Sequence, residues 1–95
     1  MENDYIDTIT CADGKQIFMH GTEEELSYLE YNYNKNVDLI KGIEKECESR
    51  PRFTIDNQQI KKLDDENKAF VTYLIKHNID YCYEGEYIKI NKRVR

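Results

Sequence analysis

Residues 22–49 read TEEELSYLEYNYNKNVDLIKGIEKECES, and whether they make one rod or two decides the fold. Thr22 followed three residues later by Glu25 is a capping box, in which each side chain satisfies a backbone N–H left free at a helix start. Glu23, Glu24 and Glu25 favour the positive end of the same helix. Leu26, Leu29, Tyr33, Val37, Ile40 and Cys47 recur at intervals of three and four, with Leu39 and Ile43 beside them, the spacing of an amphipathic helix. Pro51 forbids its continuation. Asn32, Asn34 and Asn36 have poor helix propensity and mark where a bend, or a break into two helices, would fall.

The segments on either side read as hairpins. In DYIDTITCADGKQIFMHG, Asp13 and Gly14 suit a two-residue turn, since both central positions of a type I′ turn need positive φ. That turn sets Thr10 opposite Ile17, Ile9 opposite Phe18 and Asp7 opposite His20, with apolar residues on both faces. In DYCYEGEYIKI, a turn centred on Glu84 and Gly85 sets Tyr83 opposite Glu86, Cys82 opposite Tyr87, Tyr81 opposite Ile88 and Asp80 opposite Lys89. Ile79, Tyr81, Ile88 and Ile90 then share the core face, and Asp80 pairs with Lys89 on the other. Between the long helix and this hairpin, Phe53 and Ile55 alternate with polar residues as a short strand would. Asp56 or Asn57 caps a second helix with Ile60, Leu63, Phe70, Leu74 and Ile75 on its stripe; the alternative is a small hairpin in FTIDNQQIKKL, with the helix starting at Asp64. Asn78 suits the left-handed position that closes a helix.

The expected architecture is a single two-layer α+β domain over 1–95: a hairpin over about 4–20, helices over about 23–49 and 57–77, a hairpin over about 79–91 and a basic tail at 92–95. The two terminal hairpins are expected to build an antiparallel sheet with both helices on one side. A chain of 95 residues buries only roughly 60 to 65% of the surface it exposes when unfolded, so the core is thin. Charged residues make up 35% and hydrophobic ones 39%, with eight tyrosines, enough apolar surface to fold. No apolar run approaches the roughly 20 residues that span a bilayer, and the start MENDYIDT lacks a basic and an apolar segment, so a cytoplasmic protein of a bacterial or phage-infected cell is expected. Cys11, Cys47 and Cys82 are an odd number and far apart, which favours reduced thiols acting as small half-buried hydrophobes over disulfides or a zinc site. No cofactor or metal is expected.

Two surfaces are candidates for function. From Thr22 to Glu48 there are eight acids against three lysines, a balance of −5 that equals the net charge of the whole chain. Tyr28 and Tyr31 lie off the aliphatic stripe among these acids, as rigid interface anchors do. Glu23, Glu24, Tyr28, Glu30, Tyr31 and Asp38 are therefore the expected partner-binding set, facing a protein with a basic surface and disfavouring nucleic acid. The alternative surface is the C-terminal KINKRVR, where Lys89, Lys92, Arg93 and Arg95 could grip phosphate while tyrosines stack bases. The negative charge elsewhere opposes a polyanion.

Catalysis finds little support. The hairpin register places His20 opposite Asp7, but Cys11 on the same face is several residue pairs away, too far for direct proton transfer along a strand rising about 3.3 Å per residue. Exposed acids such as those in EEE and DDE have nothing to shift their pKa. A small, acidic, tyrosine-rich chain of this composition resembles phage or mobile-element proteins that bind and block a host enzyme, including anti-CRISPR-type inhibitors that mimic the charge of DNA. That resemblance implies a non-catalytic binding module covering a basic surface of a nucleic-acid-handling enzyme. The rival readings are a homo-oligomeric structural domain, dimerising by hairpin edges, and a weak nucleic-acid binder.

Overall fold

The computed structural model describes residues 7–10 and 14–91. Its elements run β1 (Asp7–Thr10), β2 (Gln16–Met19), α1 (Glu23–Glu46), α2 (Thr54–Lys76), β3 (Tyr81–Glu84) and β4 (Tyr87–Ile90). This is an α+β fold of two antiparallel hairpins and two helices. The hairpins do not join edge to edge: β1–β2 and β3–β4 are separate two-stranded sheets.

The capping box at Thr22 forms as the sequence requires, with the Glu25 N–H donating to Thr22 Oγ1 at 3.2 Å. The Glu25 carboxylate also accepts from the backbone N–H groups of His20 and Gly21, each at 2.6 Å, so the end of β2 and the start of α1 form one joint. From there α1 runs unbroken for 24 residues, about 36 Å at 1.5 Å per residue. The helix does not break at Asn32–Asn36, because tertiary contacts override propensity there. Asn36 is buried and donates to Asn67 Oδ1 of α2 at 2.9 Å, and Asn67 returns a bond from Nδ2 to the Tyr33 carbonyl at 3.2 Å. Asn34 faces β4: its Oδ1 accepts from the Ile88 N–H at 2.8 Å and its Nδ2 donates to the Ile88 carbonyl at 3.1 Å.

The second helix begins earlier than expected, and neither a strand at Phe53–Ile55 nor a small hairpin over FTIDNQQIKKL forms. Phe53 alone is extended, as the N-cap residue. Asp56 lies inside the first turn rather than at the cap, and reaches back to accept the Phe53 N–H at 2.9 Å. Its carboxylate also takes both terminal nitrogens of Arg50, at 2.8 and 3.0 Å. This two-point pairing ties the link between the helices to α2. At the far end Asn78 has φ +56°. The Ile79 N–H bonds the Leu74 carbonyl at 2.9 Å and the Asn78 N–H bonds that of Ile75 at 3.2 Å, a Schellman closure of the kind the sequence predicts.

Both hairpin registers differ from expectation. In the first, Ile9 faces Ile17 and Asp7 faces Met19, a slip of one residue. That slip gathers Ile9, Ile17 and Met19 onto one face, where Ile9 and Met19 are buried, and leaves Phe18 on the other. A two-residue turn at Asp13–Gly14 would split these side chains between faces, so burial decides the register; Ala12, Cys11 and Asp13 themselves lie outside the described residues. In the second, Tyr81 faces Ile90, Cys82 faces Lys89 and Tyr83 faces Ile88. Gly85, at φ +67°, opens the turn instead of closing it. This slip of two residues changes partners but not faces, so Ile88 and Ile90 remain on the core side. The expected Asp80–Lys89 pair is replaced by a bond from Asn91 Nδ2 to Asp80 at 3.0 Å.

The core joins Leu26 and Leu29 of α1, Phe70, Tyr73 and Leu74 of α2, Ile9 and Met19 of the first hairpin and Ile88 and Ile90 of the second. Leu74 is fully enclosed. Ile75, one residue or 100° further round, is exposed and does not belong to the stripe. The molecule is elongated, 52 × 29 × 18 Å. Among the described residues no helix is long and apolar enough to cross a membrane.

Candidate protein-docking face

At 100° per residue, Glu24, Tyr28, Tyr31, Lys35, Leu39 and Gly42 share the side of α1 opposite Leu26, Leu29 and Tyr33. All six are exposed. Tyr28 and Tyr31 show 61% and 62% of their surface and Leu39 shows 45%. Glu23 is exposed beside them in the first turn. An aromatic pair, an aliphatic side chain and the Glu24 carboxylate thus stand on one helix face, with Glu23 a further 100° round in the first turn.

Two residues of the expected set serve the fold. Glu30 is half-buried, and its Oε1 accepts the Ile90 N–H at 2.7 Å. Asp38 accepts the Tyr87 hydroxyl at 2.6 Å. Next along the helix, Lys41 lies 2.9 Å from Glu86 and 4.8 Å from the centre of the Tyr87 ring, and Glu86 beside it pulls the ammonium pKa upward. With Asn34, these side chains line the outer edge of β4. Glu30 and Asn34 satisfy strand backbone at Ile90 and Ile88 that would otherwise be free to pair with another chain, while Asp38 and Lys41 hold the Tyr87 and Glu86 side chains. Of the expected set, Glu23, Glu24, Tyr28 and Tyr31 are exposed and make none of these contacts with β4.

Leu39 escaped the sequence reading, which placed it beside the apolar stripe, although its position 100° short of Ile40 carries the signal. Asn36 and Asn67 also have a visible pattern. Asn36 sits three residues after Tyr33 and four before Ile40, and Asn67 sits four after Leu63 and three before Phe70. Each polar side chain occupies a place on an apolar stripe, which is where paired buried amides belong.

Of the alternative basic surface, Lys89 is exposed on β4, while Lys92, Arg93 and Arg95 lie outside the described residues. Both histidines are engaged with carboxylates at joints between elements. His20 Nδ1 lies 2.9 Å from Glu25 Oε2. Burial pushes the Glu25 carboxyl up, but His20 and the three N–H groups of His20, Gly21 and Thr22 more than reverse this and hold it below its usual range. Asp7 does not face His20. It lies 2.8 Å from His77 Nε2 and 3.2 Å from Lys76 Nζ; these contacts and the Thr8 N–H lower it to about 2. Cys82 is exposed and Cys47 half-buried, both as free thiols, so Cys82 departs from the half-buried state expected of it. Among the described residues no group of three His, Cys, Asp or Glu side chains is placed to hold a metal ion.

A shallow groove of about 370 Å³ lies between α2 and β3, walled by Tyr33, Tyr83, Val71 and Thr72 with Asp64 and Lys68 at its rim. The Asp64 and Lys68 side chains are 3.2 Å apart. Burial, then the neighbouring Tyr83 hydroxyl, pushes the Tyr33 phenol up to about 12, so at neutral pH it is a hydrogen-bond donor. No protein-family model, curated protein or solved structure matches the chain.

Proposed function

We propose that this protein is a non-catalytic binding module whose outer α1 face docks on a basic surface of another protein. In this reading it acts as an inhibitor of the phage or mobile-element kind, covering the nucleic-acid groove of an enzyme. The observation that carries the reading is the exposure of Tyr28 and Tyr31, with Glu24 on the same face, on the side of α1 turned away from buried Leu26 and Leu29. Exposed tyrosines supply contact area at low entropic cost. Unpaired glutamates accelerate encounter with a cationic groove and repel a polyanion.

The test compares proteins recovered from a nuclease-treated bacterial lysate by the parent chain and by the triple variant Glu24→Lys, Tyr28→Ala, Tyr31→Ala. A partner with a basic surface that is held by the parent chain and lost by the variant supports the reading. An unchanged set of partners removes this face from consideration. Association with such a partner is expected to slow as salt is raised, since surface charges are screened beyond about 8 to 10 Å at physiological ionic strength.

A further inference from the structure

The helical pair extends well past the part of α1 that β4 contacts, at Glu30, Asn34, Asp38 and Lys41. In residues 42–63 no apolar residue is buried, and the buried side chain there is the carboxylate of Asp56. Ile43, Cys47, Ile60 and Leu63 continue the apolar stripes yet remain half-buried. Phe53 and Ile55 at the tip are 54% and 58% exposed. Two helices alone leave such a seam open to water; covering it needs a third layer or further helices.

Charge indicates what covers it. Residues 42–63 carry five basic and four acidic side chains, a balance of +1, which leaves −6 for the remainder of a chain whose total is −5. We propose that this arm pairs antiparallel with the arm of a second copy about a two-fold axis, so that four helices enclose Ile43, Cys47, Ile60 and Leu63. Antiparallel pairing brings two nearly neutral, mixed-charge segments together and leaves the acidic halves at opposite ends. A parallel arrangement, or contact through the hairpins, sets −6 against −6. The dimer presents two outer α1 faces pointing away from each other, and its formation does not depend on the docking proposed for that face.

Light scattering and sedimentation equilibrium on the full chain test this. The expected mass at high concentration is that of two 11.4 kDa chains, with a dissociation constant that changes little with salt, because the acidic ends lie farther apart than the screening length of about 10 Å. Phe53→Ser with Ile55→Ser changes exposed positions and is expected to leave the circular dichroism spectrum of the chain intact. Removing two large apolar side chains from an interface weakens the dimer by about tenfold or more. Ile60→Glu is expected to give a single-chain mass. A single-chain mass for the parent at every concentration overturns the proposal, as does a dimer whose dissociation constant is unchanged in Phe53→Ser, Ile55→Ser.

Discussion

The two ends of the helical pair differ in what covers them. At the hairpin end, Leu29, Phe70, Tyr73 and Leu74 meet Ile9, Met19, Ile88 and Ile90, and all eight are shielded from water. At the other end, stripes of the same spacing on the same two helices leave every apolar side chain at least partly wet. Order there comes from Asp56, which holds Arg50 and the Phe53 N–H together. The contrast teaches that periodicity specifies a helix face, while burial depends on the layer laid over it. Stability belongs to the hairpin end, and the α1 outer face and the arm are where contacts with other molecules are proposed.

Substitutions at the two ends should therefore differ in size. Leu74→Ala empties a fully enclosed site, and its expected cost is about 2 to 5 kcal/mol, read as a shift in the urea midpoint; an equal loss from Leu63→Ala in the arm would break the comparison. Asn36→Ala leaves Asn67 Oδ1 without its donor in a buried place, with an expected loss of about 1 to 3 kcal/mol. A neutral result would mean that water replaces the amide.

Acid sharpens the comparison differently. Arg50 first, then the Phe53 N–H, hold the Asp56 carboxyl well below its ordinary 3.8, and Asp7 is lowered from 3.8 to about 2. A carboxyl lowered by folding contributes its full stabilisation above the unfolded value and loses it as pH falls toward the folded one. Urea midpoints are therefore expected to be steady above about pH 5 and to fall between 3.8 and about 2. Asp56→Asn should flatten part of that fall, and an identical acid profile in the variant would show that the Arg50 pairing does not contribute. The smallest effect is expected for Tyr28→Ala with Tyr31→Ala, whose unfolding midpoint should stay within about 0.5 kcal/mol of the parent. A large loss would place these rings in the fold rather than on a docking face.

Much of this architecture was legible because local chemistry specifies it: the Thr22–Glu25 box, the Asn78 closure and the stop before Pro51 each rest on backbone donors and dihedral limits. Register was not legible, because a turn dipeptide competes with burial. Ile9, Ile17 and Met19 gain more by sharing one face than Asp13–Gly14 gains from a tight turn. Helix propensity misled at Asn32–Asn36, where Asn34 and Asn36 bond partners distant in sequence, Ile88 and Asn67. In the candidate site, the exposure of Tyr28 and Tyr31 followed from their angle to the stripe. The engagement of Glu30 and Asp38 did not, since it depends on where β4 lies, which no pattern within α1 reveals.

Hydrogen exchange followed by mass spectrometry on dilute protein bears most directly on the division between the two ends. The expected result is that amides of residues 42–63 exchange well before those of 67–76, and that raising the protein concentration slows the former selectively. Exchange of both segments at the same rate in dilute protein would contradict it.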